Sequence, residues 1–223
     1  MVMSAAPALA PLIGGVGEAL VSWRFGFGFC AAIGVAMFFW LWTALSDTRV
    51  VPAEGYPAVS ELLRRYRAVL SNRSFLGYSL ALAFLSSCFY GFSVGAPALF
   101  AYRYGITPPQ FGIAMFCISL GFVVGSFVAA RAARYLALNR MLVLGSCGIA
   151  ATMALLTLGV WVDDFYYYIA IMIAYALANG FVYPTSISGA ISVDPGIAGA
   201  ASAFLGFAQQ AICAIVTLAV GAV

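Results

Sequence analysis

The sequence predicts an all-α polytopic membrane protein, a bundle of about seven transmembrane helices. Its ten basic and seven acidic side chains all fall in short gaps between long apolar runs. Hydrophobic residues make up 65% of the chain and charged residues only 8%, whereas a soluble protein carries about 25% charged residues. The apolar runs reach the length of about 20 residues that a spanning helix needs. They are too long and too continuous for barrel strands, which alternate over about 10 residues.

Each charge-free stretch defines one predicted span. The approximate bounds are 1–20, 25–45, 75–100, 109–130, 141–161, 166–188 and 199–222. No positive charge precedes the first apolar run, and prolines and glycines interrupt it, unlike a cleavable signal peptide. We therefore expect the chain to begin within an integral membrane segment.

The distribution of arginines predicts the orientation of the bundle. The gap 46–73 carries five arginines and the gap 131–140 carries three, whereas the loops at the other end carry only Arg24 and Arg103. Loops rich in lysine and arginine face the cytoplasm in membrane proteins. We therefore expect 46–73 and 131–140 to be cytoplasmic loops.

The long gap 46–73 predicts a cytoplasmic linker that contains an amphipathic surface helix. Apolar residues recur at helical spacing from Val59 to Leu70, and arginines occupy the opposite face. A plain topogenic linker is the alternative interpretation. In both cases the linker divides the chain into the parts 1–45 and 74–223.

The composition predicts neither an enzyme nor a metal or cofactor protein. Histidine and lysine are both absent, which excludes imidazole ligands and proton shuttles, lysine Schiff bases and the phosphate-loop lysine. No acid pair lies in a span, so no nucleophile–base unit is evident. The five cysteines all lie in apolar runs and are expected to serve as packing residues. The net charge of +3 reflects membrane topology and not nucleic-acid binding.

Three predicted spans, the third, sixth and seventh, carry polar side chains on one helical face. Such groups are costly in a membrane and usually face a bundle interior or a water-filled cavity. Hydrogen bonding between neighbouring helices is the alternative. The candidate cavity residues are Ser86, Tyr90, Ser93, Tyr175, Asn179 and Gln209.

Two pairs of glycines recur at four-residue spacing, Gly91 with Gly95 and Gly121 with Gly125. This spacing predicts close approach between helices. No acidic or basic side chain lies deep in a complete span, and Glu18 is expected at the outer end of the first. The residues therefore offer no titratable group for proton coupling.

The segment Ala6–Gly15 resembles the proline–glycine signature in the fifth helix of drug/proton antiporters of the major facilitator superfamily. That signature reads glycine–proline, two residues, then glycine–glycine, and Ala10 stands in place of its first glycine. The resemblance implies a segment that bends the helix and packs tightly to seal the inward-closed state, with a static kink as the alternative. The residues of this bending or gating motif are Pro7, Pro11, Gly14 and Gly15.

Further pieces resemble the bicyclomycin-resistance branch of these antiporters, and they follow in the family's order. The matching segments are Tyr66–Tyr78 at the entry to the seventh helix, Gly95–Phe100, Gln110–Gly112, Tyr183–Pro184 in the tenth helix and Ala198–Gln209 in the eleventh. The gap between Gly125 and Arg140 resembles the arginine-bearing loop between helices eight and nine.

The resemblance implies a partial major-facilitator fold that contains helices five to eleven. Complete members have two six-helix halves that alternate access around a midplane site. Residues 1–45 would be the last two helices of an incomplete N-terminal half, and 74–223 a C-terminal half without its final helix. Helices seven, ten and eleven border the cavity in that scheme, in agreement with the three polar stripes.

The function implied by the resemblance is proton-coupled efflux of drugs or other small amphipathic molecules across the bacterial inner membrane. The C-terminal half would supply neutral substrate contacts from Tyr90, Tyr175, Asn179 and Gln209. The family's proton-coupling acid lies in the half that this chain lacks. We therefore expect the chain to need complementing membrane helices and to be inactive alone.

Other classes are less consistent with the sequence. A seven-span receptor fits the helix count, but the missing lysine excludes retinal binding and the proline–glycine first span argues against this class. A truncated membrane protein that associates with another membrane protein, without transporting, is compatible with every feature above.

Overall fold

The computed structural model describes residue 10 and the ranges 13–44, 59–192 and 198–222. Within these ranges the chain is an all-α bundle, as predicted. The helices are α1 (13–20), α2 (Arg24–Ala44), α3 (Val59–Ser71), α4 (Arg73–Tyr104), α5 (Pro108–Ala132), α6 (Leu138–Val162), α7 (Phe165–Ser192) and α8 (Ala198–Gly221). Six of them, α2 and α4 to α8, are long and apolar enough to cross a membrane. Most of the first predicted span lies outside the described residues.

Local signals determine where α4 begins and ends. Asn72 caps its start, because the side-chain oxygen accepts hydrogen bonds from the backbone N–H groups of Ser74 and Phe75. Gly105 ends the helix in the left-handed conformation, with φ at 64°, which glycine adopts without steric cost. The helix therefore extends beyond the predicted span 75–100 at both ends.

The linker helix α3 packs against the bundle. Its Val69 is buried in a cluster with Phe75 of α4 and with Ala201 and Leu205 of α8, while Arg67 is exposed. A helix is therefore present within the predicted linker, with Val69 against the protein and Arg67 exposed. Together with residues 133–137, it marks what we call the arginine-rich end of the bundle.

Helix α7 is the centre of the bundle, with α5, α6 and α4 packed around it, and α8 packed mainly on α4. Two close approaches confirm the glycine prediction. A Cβ atom at Gly121 would lie 2.9 Å from the carbonyl oxygen of Ile173, and one at Gly125 would overlap the carbonyl oxygen of Leu177. On α4, a Cβ atom at Gly95 would lie 3.0 Å from a side-chain methyl group of Val220 on α8.

Helix α2 contributes nothing to this core. None of its 21 residues is buried, and large side chains such as Trp40 and Trp42 are exposed. The ring of Phe25 instead packs against Gly17 of α1. The bundle therefore consists of α4 to α8 with α3 against it, and α2 offers a continuous apolar surface.

Candidate functional site

The predicted cavity residues lie on α4, α7 and α8, which pack against one another. Ser86, Tyr175, Asn179 and Gln209 are buried, Ser93 is partly buried, and Tyr90 is exposed over 39% of its surface. The three polar stripes therefore converge.

Tyr175 links α7 to α4. It is fully buried, and its hydroxyl donates a 2.6 Å hydrogen bond to the backbone carbonyl of Leu85. Buried tyrosines generally satisfy their hydroxyl in this way. In this structure, then, Tyr175 makes a contact between helices, which was the alternative interpretation of the polar stripes.

Four buried polar atoms on α4 and α7 have no hydrogen-bond partner among the described residues. We call this set the polar row: the hydroxyls of Ser79, Ser86 and Ser186, and the Oδ1 atom of Asn179. Leaving a buried polar group unpaired costs about 1–3 kcal/mol. The polar row is therefore a group of hydrogen-bonding atoms that the described part of the chain leaves unpaired.

Two contacts define how α4 and α7 pack against each other along the polar row. Near one end, a Cβ atom at Gly189 would lie 2.5 Å from the ring of Tyr78, and further along Tyr175 reaches Leu85. Along these antiparallel helices, Ser79 and Ser186 follow the first of these contacts, and Ser86 and Asn179 lie near the second. The row thus follows the α4–α7 interface across two levels of the membrane.

Other polar residues in these helices are satisfied by their own backbone. The hydroxyl of Ser87 donates to the carbonyl of Phe84, that of Ser93 to Phe89, and that of Thr185 to Val182. Such bonds to the preceding turn are common for serine and threonine. Ser93 therefore differs from Ser86, although the sequence pattern treated them alike.

Helix α8 presents two neighbouring glutamines to different surroundings. Gln209 is buried, whereas Gln210 is exposed. An exposed glutamine in a spanning helix is costly in lipid and favours a position against water or another helix. The polar stripe predicted from the sequence included Gln209 and did not include Gln210.

The glycines of the predicted bending motif occupy different environments. A Cβ atom at Gly15 would lie 2.8 Å from the carbonyl oxygen of Pro108 and 3.4 Å from the Cα of Gly112, both in the first turns of α5. At Gly14 nothing lies within 4 Å. Pro7 and Pro11 lie outside the described residues. Of the two described glycines of this motif, Gly15 thus packs closely against α5 and Gly14 does not.

We expect Gly15→Leu to separate α1 from α5 and Gly14→Leu to leave them in contact. A leucine side chain at residue 15 would meet backbone atoms of α5, which cannot rotate away. A leucine side chain at residue 14 would enter open space. In detergent, Gly15→Leu should therefore melt at a clearly lower temperature than the wild type, whereas Gly14→Leu should melt near the wild-type temperature. Equal melting temperatures of the two variants would contradict a specific role for the Gly15 contact.

At the opposite end from α3, an ion pair joins α4 to the connection between α6 and α7. Arg103 Nε lies 2.6 Å from Asp163 Oδ1, and the hydroxyl of Tyr104 donates to the same oxygen at 2.7 Å. The hydrogen bond from Arg103, followed by that from Tyr104, lowers the pKa of Asp163. Asp163 also ends α6, in the left-handed conformation with φ at 46°.

This ion pair predicts a pH dependence of stability. Because the pKa of Asp163 is lowered on folding, its contribution is complete above the ordinary value of 3.8 and disappears as pH falls through the lowered value. Melting in detergent between about pH 7 and about pH 2 should therefore show a smaller acid loss for Asp163→Asn than for the wild type. The difference should be small, since both side chains are about half exposed and solvent screens them. Asp164→Asn, which keeps an acceptor for the N–H of Tyr166, should follow the wild type.

These observations define the class of protein: a polytopic membrane helix bundle with polar groups buried between its central helices. The sequence model of the Major Facilitator Superfamily matches residues 1–217 of this chain. The chain therefore belongs to the Major Facilitator Superfamily, whose members are transporters.

Three curated relatives illustrate the similarity. The uncharacterized MFS-type transporter YdgK of Bacillus subtilis is 25% identical over 226 residues, which cover 99% of this chain and 56% of that protein. The chloramphenicol resistance protein CraA of Acinetobacter baumannii is 28% identical over 155 residues, or 70% of this chain and 37% of CraA. The multidrug transporter MdfA of Yersinia pestis is 30% identical over 126 residues, or 56% of this chain and 31% of MdfA. The chain thus spans about half the length, or less, of these relatives.

Proposed function

We propose that this chain is part of a proton-coupled exporter of drug-like amphipathic molecules, of the bicyclomycin-resistance branch of drug/proton antiporters. Membership of the superfamily supports a transport role, and the names of two relatives, a chloramphenicol resistance protein and a multidrug transporter, support drugs as the substrate class. We further propose that α1 and α2 correspond to helices five and six of the twelve-helix fold, and α4 to α8 to helices seven to eleven.

The observation that carries this proposal is the polar row beside Tyr90. A substrate cavity needs a few polar groups in an otherwise apolar wall, and the row supplies hydrogen-bonding atoms that the protein leaves unpaired. Tyr90 follows Ser86 by one turn of α4, and 39% of its surface is exposed. In this mechanism Tyr90 contacts the substrate first, and Asn179 and Ser86 become accessible when α4 and α7 separate.

Proton coupling requires a titratable group that the helices α4 to α8 do not supply. Their described acids, Asp163 and Asp164, lie at a helix end, and Glu18 of α1 is exposed. We therefore propose that complementing helices provide the coupling acid and that this chain alone does not transport. The orientation inferred from the arginines, with 46–73 and 131–140 in the cytoplasm of a bacterial cell, belongs to the same proposal.

A chimera tests this function. The chain would be joined to the first four helices and the last helix of CraA and expressed in a bacterium that lacks its own drug exporters. We expect chloramphenicol resistance from the chimera, none from the chain alone, and a reduction of about tenfold or more by Tyr90→Ala in the chimera. Full efflux by the chain alone would contradict the need for complementing helices. A chimera that reaches the membrane and confers no resistance would contradict the transport function.

A second candidate function is a non-transporting membrane protein that associates with another one. The exposed apolar surface of α2 favours this second function. None of the residues of α2 is buried, and an exposed apolar helix can pack against helices of another membrane protein. The size of the native protein separates the two functions. On membranes of the source cell, an antibody against 46–73 should detect a band of about twice the mass of this chain for a complete transporter. A band at 23.4 kDa together with a co-purifying membrane protein would favour the second function.

A further inference from the structure

An open crevice of about 230 Å³ lies between α4 and α6 at the arginine-rich end. Its walls include no member of the polar row. The lining residues are Ser74, Gly77, Tyr78, Asn139 and Leu142. The hydroxyl of Tyr78 donates a hydrogen bond to the Oδ1 atom of Asn139, which ties the two helices together beside the crevice. The lining therefore combines hydroxyl and amide groups with an apolar side.

Positive charge flanks this crevice on both helices. Arg73 precedes the lining residue Ser74, and Arg140 follows the lining residue Asn139. Both arginines are exposed, and neither forms an ion pair with any acid in the part of the chain that the structure describes. Two cations that no acid in the described residues pairs with make the rim of the crevice attractive to an anion.

The position of the crevice selects the kind of anion. The helices α4 and α6 are both long and apolar enough to cross a membrane, and the lining residues all belong to their first two turns. These turns lie at the depth of the lipid headgroups. Exposed apolar side chains follow on both helices, Leu80 on α4 and Val143 on α6. A ligand there meets cations and hydroxyls at one end and hydrocarbon at the other.

We propose that this crevice binds the phosphate of an anionic phospholipid. The guanidinium groups of Arg73 and Arg140 pair with the phosphate, the hydroxyl of Ser74 donates to it, and the acyl chains follow α4 and α6 into the bilayer. Basic pockets between transmembrane helices commonly hold anionic headgroups. The site is independent of the proposed transport function, because it shares no residue with the polar row.

The test is native mass spectrometry of the purified full chain with equal amounts of phosphatidylglycerol and phosphatidylcholine. We expect the wild type to retain phosphatidylglycerol preferentially. The double variant Arg73→Gln/Arg140→Gln should lose about tenfold or more of that preference. The matched control, Arg67→Gln/Arg131→Gln, removes two charges from the same end without touching the crevice and should behave as the wild type.

A second variant fills the crevice and leaves every charge in place. A Cβ atom at Gly77 has nothing within 4 Å, so Gly77→Leu enters open space, and leucine favours a helix over glycine. We expect Gly77→Leu to reduce phosphatidylglycerol retention as much as the arginine variant does. Gly34→Leu, at another open glycine on α2, is its control and should have no effect.

Two further outcomes would contradict the proposal that the crevice binds an anionic phospholipid. Equal retention of the two lipids by the wild type, or equal losses in the arginine variants and their controls, would show only general attraction to charge. If inorganic phosphate displaces phosphatidylglycerol completely and binds with the same dependence on Arg73 and Arg140, the site is one for free phosphate and not for lipid.

Discussion

A Gly125→Leu variant is expected to lose most of its folded population. In the structure, a Cβ atom at Gly125 would overlap the carbonyl oxygen of Leu177, and one at Gly180 would lie 2.6 Å from the carbonyl carbon of Gly125. Overpacking a side chain costs about 1–3 kcal/mol when neighbours can rotate away. Here the neighbours are backbone atoms in two rigid helices, so the cost should exceed about 3 kcal/mol. That is a large part of a typical folding free energy of about 5–15 kcal/mol.

Size-exclusion chromatography of detergent extracts, followed over a temperature series, measures this loss. The control is Gly206→Leu on α8, where nothing lies within 4 Å of the added Cβ. The same substitution there should leave the melting temperature nearly unchanged. If the two variants melt alike, then α5 and α7 do not approach as closely as the structure indicates.

The sequence contained enough information for the fold because the membrane limits the possible structures. Lipid cannot hydrogen-bond the backbone, so long charge-free segments must be helices. The observed α5 and α8 accordingly lie within a few residues of the predicted spans 109–130 and 199–222. The ends were less predictable: α4 is longer than its prediction because Asn72 and Gly105, and not the nearest charges, determine its limits.

The packing partners of the helices were not readable from the sequence. The pairs Gly91–Gly95 and Gly121–Gly125 both predicted close approach between helices. In the structure the first pair contacts α8 and the second pair contacts α7. Which helix a small residue meets depends on the tertiary arrangement, which local spacing does not encode. The contact between Gly15 and the start of α5 was likewise invisible to periodicity.

The candidate site was predictable at the level of helix faces and not of individual atoms. Ser86 and Ser93 share one stripe, but only the second bonds to its own helix, and its acceptor is the carbonyl of Phe89. This difference depends on side-chain rotation and on neighbouring helices. Tyr175 shows the same limit, since the sequence cannot reveal that its hydroxyl reaches Leu85 across the α4–α7 interface.

Replacing Asn179 with leucine is expected to stabilise the bundle and to abolish transport by the completed protein. Asn179 is buried and its Oδ1 atom has no partner among the described residues, a deficit worth about 1–3 kcal/mol that a leucine, with the same number of side-chain heavy atoms, removes. The melting temperature should therefore rise. Proteins tolerate such local costs mainly where function needs them, so drug efflux by the chimera should fall by about tenfold or more.

The combination of the two measurements identifies the role of Asn179. Thr185→Val is the control on the same helix: the hydroxyl of Thr185 already bonds to the carbonyl of Val182, so its removal should bring no comparable stabilisation. If Asn179→Leu lowers both melting temperature and efflux, the residue serves to hold α4 and α7 together. If it raises the melting temperature and leaves efflux intact, the polar row takes no part in transport. Only higher stability together with lost efflux fits a role for Asn179 in transport. In that role the amide stays unpaired in the resting protein, and the substrate or a rearranged α4 completes its hydrogen bonds.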